Sequence, residues 1–281
     1  MSDFIADVAR YHFLQYALIA GLLVSVASGV MGTYVVVRRI TYIAGSIAHC
    51  VLGGLGAAKY LKVVYGWTWI SPMYGAAVTA VLAAVVIGLV TLRAKQREDT
   101  VIGALWAIGM AVGILFIART PGYQEDIMSY LFGDILLVER RDLWLIAALD
   151  VVVVVLGILF YNKFLAVCFD EEFARLRGVH VEFYYLLLLC LTALTVVLLM
   201  KVVGIIMVIA LLTLPVAIGG YFARTLWQMM AAGTVLSIIF TTTGLALSYK
   251  PNLPAGATII VLAGAVYLLA AGSRVLMGRR E

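Results

Sequence analysis

The chain has 281 residues, of which 64% are hydrophobic and 12% charged, with a mean hydropathy of +1.09. Soluble domains carry about 25% charged residues, so this composition excludes an ordinary soluble protein. The formal charge of +5 does not indicate nucleic acid, because the basic residues stand singly or in pairs beside apolar segments, where they contact lipid headgroups. Three cysteines in or beside apolar runs imply no disulfide framework. We expect one transmembrane domain over residues 1–281.

Apolar runs along the chain predict about nine membrane-spanning helices in an all-α polytopic fold. A hydrocarbon core about 30 Å thick requires roughly 20 apolar residues per helix. The number of spans lies between eight and ten, depending on how residues 119–142 are arranged. The runs cover residues 13–37, 42–61, 72–92, 101–118, 143–161, 183–200, 203–221, 226–247 and 254–272.

The basic residues predict the orientation of these spans. Loops on one side of the predicted membrane collect 12 of the 20 Lys and Arg residues. Positive charge marks the cytoplasmic side of a membrane protein. We therefore expect the N-terminus outside the cell and the C-terminus in the cytoplasm.

Residues 119–142 do not fit the spanning pattern. Their apolar core, 127–138, holds about a dozen residues, which is typical of a re-entrant or interfacial segment. Backbone of this kind must be buried in protein or line water. Asp134 lies inside this core, which makes it a candidate for a polar pathway through the membrane.

Residues 169–182, on the predicted cytoplasmic side, resemble a short amphipathic helix. Asp170 can cap it, Phe173 and Leu176 share one face, and Gly178 can end it. Such a helix can receive force from a soluble motor protein. The alternative is a helix that lies on the lipid surface.

The second predicted span combines a histidine with many small residues, over which helices approach closely in lipid. His49 is four residues from both Gly45 and Gly53 and close to Ser46. An imidazole in hydrocarbon is costly unless it faces a partner, a cavity or an ion. His49 therefore either bonds a neighbouring helix or lies on a transport path with Gly45 and Ser46. The small residues are Ala44, Gly45, Ser46, Ala48, Gly53, Gly54, Gly56 and Ala57.

Two further residues leave alternatives open. Pro215 is predicted to kink its helix and to free a carbonyl, either as a hinge or for packing alone. Asp150 lies either within the membrane or at its outer interface. The sequence contains no Gly-x-x-x-x-Gly-Lys-Ser/Thr loop and no Ser/His/Asp set, so we expect neither a nucleotide site nor an enzyme.

Four blocks of sequence together resemble one family of transport proteins. They are residues 38–49, 130–136, 203–217 and 222–225, within a likeness that runs from about 32 to 254. Their order and spacing are similar to those of the membrane permease of bacterial and archaeal zinc/manganese/iron ABC importers.

The resemblance implies a set of partners in a prokaryotic cell membrane. We expect two copies of the permease, two cytoplasmic ATPase subunits and an extracytoplasmic metal-binding protein. Residues 170–179 fall where such permeases dock their ATPases, with the contact expected at Glu171, Glu172, Arg175 and Gly178. No tightly bound cofactor is expected, since the metal is cargo that binds His49 transiently.

The sequence departs from this family at one position. Many members carry an aspartate one turn before the histidine, where this chain has Gly45. Loss of the carboxylate favours zinc over manganese or iron by a small margin. In a homodimer, two His49 side chains converging near the axis would partly replace it. The alternatives are an ion-coupled secondary carrier, which needs more intramembrane carboxylates, and an ABC permease for a larger metal chelate.

Overall fold

A computed structural model describes residues 2–93, 98–121, 133, 135–205, 207–251 and 253–278. Within these ranges the regular structure consists of twelve α-helices and one short 3₁₀ helix, Ile135–Leu137. The α-helices are α1 Ser2–Arg10, α2 His12–Arg38, α3 Thr41–Val64, α4 Pro72–Arg93, α5 Glu98–Arg119, α6 Arg140–Leu159, α7 Tyr161–Phe169, α8 Glu171–Leu176, α9 Val181–Val203, α10 Val208–Gly220, α11 Leu226–Tyr249 and α12 Ala255–Gly278.

In the described part of the chain, eight helices are long and apolar enough to cross a membrane: α2, α3, α4, α5, α6, α9, α11 and α12. The predicted run 203–221 instead forms the 13-residue helix α10. Val203 belongs to α9, and Gly204, with φ 79°, ends that helix. Thirteen residues of α-helix extend about 20 Å, which is shorter than the hydrocarbon core. The eight spans lie at the lower limit of the predicted range.

Two ion pairs near helix ends define the two ends of the bundle. At one end Arg38 pairs with Glu171 of α8, and we refer to it as the α8 end. At the other, the far end, Lys201 Nζ lies 3.2 Å from Asp142 Oδ2. The fold is therefore that of a multi-pass membrane protein, as predicted.

The bundle is organised around α2, α3 and α9. In the apolar stretch of α3, 83% of residues are buried, whereas in α5 only 17% are. Helices that expose apolar side chains along most of their length are stable only in lipid or against a partner. The small residues of α3 predict a helix central either to the bundle or to a dimer interface, and α3 is central to the bundle.

Candidate functional site

Glycine residues bring α3 into direct backbone contact with its neighbours α4 and α5. A Cβ atom at Gly53 would lie 3.0 Å from the carbonyl oxygen of Gly109 in α5. A Cβ atom at Gly56 would lie 2.7 Å from the carbonyl oxygen of Gly113. We call this contact between α3 and α5 the glycine seam. Its close approach is typical of helix pairs that associate in lipid.

His49 lies in this seam and stacks on Trp106 of α5. The two ring centroids are 4.3 Å apart and the rings are inclined by only 14°. The imidazole Nδ1 atom is buried and has no hydrogen-bond partner among the described residues. A neutral imidazole nitrogen with a free lone pair is a ligand for transition metals and an acceptor for protons. Trp106 therefore fixes the ring while Nδ1 stays available.

The space beside Gly45, one turn before His49, is filled by apolar side chains. A Cβ atom at Gly45 would lie 2.7 Å from Ile209 Cδ1 and 3.7 Å from Trp106 Cζ3. The position at which the family resemblance implies an aspartate is thus occupied by packing from α10 and α5. A carboxylate here would require Ile209 to move.

Two other polar side chains of α3 bind α5 rather than the space around His49. The Ser46 hydroxyl donates to the carbonyl oxygen of Ile102 over 2.8 Å, and the Cys50 thiol donates to that of Leu105 over 3.1 Å. In the part of the chain that the structure describes, no three His, Cys, Asp or Glu side chains are placed to hold a metal. A metal at His49 would therefore need further ligands from water or from another chain.

Asp134, the other candidate for the path, lies outside the described residues. Next to it, Gly133 has φ 69° and abuts the backbone of Gly204, where a Cβ atom would clash. The following 3₁₀ helix is a single turn, and its Ile135 is buried. Around Gly133 and Ile135 the described backbone is thus irregular and packed within the protein, as expected of such backbone at membrane depth.

Pro215 lies inside α10, and its missing N–H leaves the carbonyl of Leu211 without its usual helical partner. The hydroxyl of Ser28, on α2, donates to this carbonyl over 2.9 Å. The carbonyl that the sequence predicted to be freed is therefore satisfied by a neighbouring helix. Whether Pro215 acts as a hinge stays a prediction.

Asp150 lies at the middle of α6 and is only 6% exposed. Its carboxyl group lies beside the backbone of Ala27 in α2, and its Oδ1 atom has no hydrogen-bond partner among the described residues. The residue is therefore within the membrane, the first of the two predicted alternatives.

At the α8 end, the short helix forms as the sequence predicts. The side chain of Asp170 accepts a hydrogen bond from the backbone N–H of Phe173 over 2.9 Å, and Gly178 follows the helix with φ 75°. Glu171 is half-buried and pairs with Arg38, whereas Glu172 and Arg175 are exposed. Of the residues expected to contact the ATPase, Glu171 is thus engaged in an ion pair within the chain, whereas Glu172 and Arg175 lie on the exposed surface.

The apolar face of α8 points away from the bundle. Phe173 is 50% exposed and Leu176 is 87% exposed, while Ala174 on the opposite face is fully buried. A hollow of about 570 Å³ lies beside the helix and is lined in part by Arg175 and Gly178. Exposed apolar groups among charges are typical of a protein interface. We call the exposed residues Phe169, Glu172, Phe173, Arg175, Leu176 and Gly178 the α8 surface.

Sequence reasoning missed two contacts of this site. Trp106 was not singled out, because a single sequence does not show that α5 packs on α3. Arg38 was interpreted only as a topology signal, although its position at the end of an apolar run next to Arg39 marked it as a helix-end cation.

Eight potential spans, with a buried imidazole on the most buried of them, are the features of a membrane permease. The model of the ABC 3 transport family matches residues 10–273. The chain therefore belongs to the ABC 3 transport family, whose members are transport components rather than enzymes. This confirms the resemblance seen in the four sequence blocks.

Several relatives are named as metal transport proteins. The chain is 39% identical to the "Probable metal transport system membrane protein" of Chlamydia pneumoniae, covering 95% of this chain and 91% of that one. It is 31% identical to the manganese transport system membrane protein MntC of Halalkalibacterium halodurans, covering 96% and 90%. The solved structure of PsaBC from Streptococcus pneumoniae in complex with Fab is similar with a TM-score of 0.85 at 29% identity, covering 96% and 94%. Together with the family, these similarities identify the chain as an ABC-type metal permease.

Proposed function

We propose that this chain is the membrane subunit of an ATP-driven importer for a divalent transition metal. The observation that carries the proposal is the unpaired Nδ1 of His49, held on the most buried span of an ABC-family permease. Two copies of the chain would form the path. Two ATPase subunits would bind in the cytoplasm, and an extracytoplasmic protein would deliver the metal.

The α8 end is the cytoplasmic end in this proposal. The excess of Lys and Arg in its loops supports that orientation, which places the N-terminus outside a prokaryotic cell. The ATPase would then bind the α8 surface, whose exposed Phe173 and Leu176 supply apolar contact and whose Glu172 and Arg175 supply charge.

His49 supplies one ligand per chain, so the metal is held weakly while it passes. A transport site must bind well enough to admit the ion and loosely enough to release it. Two His49 side chains from two copies, together with water, would form such a site. Trp106 would keep each ring in place between transport cycles.

For the metal, we propose zinc in preference to manganese. Imidazole suits zinc, and carboxylate suits manganese, while Ile209 and Trp106 fill the space beside Gly45 where a carboxylate would lie. Manganese is the competing candidate, because the name of MntC states manganese transport.

The decisive experiment reconstitutes the chain in proteoliposomes with its metal-binding protein, in the presence and absence of its ATPase, and measures uptake of labelled zinc and manganese. We expect ATP-dependent uptake of free metal only when the ATPase is present. Uphill uptake by the chain alone would indicate a secondary carrier and overturn the proposal. Uptake of a metal chelate but not of free metal would instead indicate a chelate permease.

Docking of the ATPase is tested separately by Leu176→Ser. We expect this change to reduce co-purification of the ATPase, since it removes apolar area from the centre of the α8 surface. Leu253→Ser is the matched control, because Leu253 is also exposed but lies at the far end. Equal ATPase recovery with both variants would move the docking site away from α8.

A further inference from the structure

Three helices and the short link to α3 meet at one guanidinium group at the α8 end. Arg38 lies in the last turn of α2 and forms an ion pair with Glu171 in the first turn of α8. Its guanidinium carbon lies 5.5 Å from the centre of the Tyr185 ring of α9, a distance suited to a cation–π contact.

This ion pair is partly shielded from water. The side chains of Arg38 and Glu171 are 26% and 32% exposed, so water screens them only in part. The Cys168 thiol lies close by, and burial raises its pKa to about 12 even though the Arg38 charge opposes this. Cys168 therefore stays neutral and does not compete with Glu171 for the guanidinium.

Arg38 is joined to α3 by a short link that backbone hydrogen bonds hold against α2. Only Arg39 and Ile40 separate the two helices, and Arg39 has a left-handed backbone with φ 62°. The N–H of Arg39 donates to the carbonyl of Val36 over 3.2 Å, and that of Ile40 donates to the carbonyl of Val35 over 3.0 Å. A displacement of the end of α2 must therefore move the start of α3. His49 lies about two turns further along α3.

We propose that Arg38 is a positioning residue that transmits movement of α8 to α3 and thus to His49. The inference rests on the proposed function, in which an ATPase moves α8. The side chains of the α8 surface point away from the bundle, so the ATPase can dock without Arg38. Loss of the ion pair should therefore uncouple ATP hydrolysis from transport while leaving the complex assembled.

The test is Arg38→Gln in the complete complex of permease and ATPase, with Arg39→Gln as the matched control. Arg39 is the neighbouring cation, and its side chain is exposed. We expect the number of ATP molecules hydrolysed per metal ion transported to rise about fivefold in Arg38→Gln, the factor that one partly buried ion pair supports. Co-purification of the ATPase should stay at the wild-type level in both variants.

Exchanging the charges of Arg38 and Glu171 distinguishes loss of their ion pair from a general loss of structure. Arg38→Glu and Glu171→Arg should each uncouple transport, and the two together should restore the wild-type ratio of ATP to metal. Failure of the folded double variant to restore the ratio would overturn the inference. An unchanged ratio in Arg38→Gln, or loss of the ATPase from it, would do the same. If ATP hydrolysis by the wild-type complex does not drive metal uptake, the proposed function itself is wrong.

Discussion

The glycine seam and the α8 end are built in opposite ways. The seam joins α3 to α5 through backbone contacts at Gly53 and Gly56, and its polar side chains Ser46 and Cys50 donate to backbone carbonyls. The α8 end joins its helices through an ion pair and a cation–π contact, and it leaves Phe173 and Leu176 uncovered. The seam holds the His49 ring in a fixed place, whereas the α8 end presents exposed apolar side chains.

The difference has a physical cause. In lipid, apolar side chains gain little by meeting one another, so close backbone approach and hydrogen bonds hold helices together. At the membrane surface, water makes apolar burial favourable, and ion pairs can break and form at modest cost. The glycine seam and the α8 end are therefore held together by different forces. Four substitutions test this contrast.

Gly109→Leu should have the largest effect. A Cβ atom at Gly109 would lie 2.6 Å from the Cα atom of Cys50, so the side chain meets backbone that cannot yield. We expect a loss of at least about 3 kcal/mol in stability, seen as loss of monodisperse protein in detergent. Gly264→Leu is the control, because a Cβ atom there meets nothing within 4 Å. Equal yields of the two variants would contradict the importance of the seam.

His49→Ala should leave assembly intact and lower metal uptake at least about tenfold. Even the loss of a group that only hydrogen-bonds a metal ligand lowers metal affinity or activity about 10- to 100-fold. The measurement is the initial rate of uptake in proteoliposomes at matched protein content. His180→Ala, at an exposed position near the α8 surface, is the control. Wild-type uptake by His49→Ala would remove this residue from the path.

Gly45→Asp combined with Ile209→Val should shift metal preference toward manganese. The smaller side chain at 209 gives room to the new carboxylate, which manganese favours. We expect the ratio of manganese to zinc uptake to rise about fivefold, equivalent to about 1 kcal/mol. The control is Gly45→Asn with Ile209→Val, because asparagine has nearly the shape of aspartate but no charge. If both pairs change the ratio equally, shape rather than charge sets the preference.

Ser28→Ala should have the smallest effect, a loss of about 0.6 kcal/mol in unfolding free energy, because it leaves the Leu211 carbonyl unpaired. In a Pro215→Ala background that carbonyl regains a helical N–H, so the same change should cost little. Denaturant unfolding in detergent measures both. Thr33→Val is the control, since the Thr33 hydroxyl bonds only within its own helix, to Gly29. Equal costs of Ser28→Ala in the two backgrounds would show that Ser28 and Pro215 are independent.

Features set by local sequence could be predicted, and contacts between distant helices could not. Asp170 as a cap and α3 as a central helix follow from residue type and spacing, and the structure has both. The stacking of Trp106 on His49 depends on how α5 packs against α3, which a single sequence does not contain. The short length of α10 depends on where Gly204 ends α9, and counting apolar residues does not reveal that position.

The stacked pair of His49 and Trp106 gives the protein an optical reporter of its own. Indole fluorescence responds to a positive charge placed against the ring face, and a metal-bound or protonated imidazole would be such a charge. The chain has four other tryptophans, Trp67, Trp69, Trp144 and Trp227. With these replaced by phenylalanine, emission from Trp106 would follow each arrival and departure of cargo at His49 in real time, without any added dye.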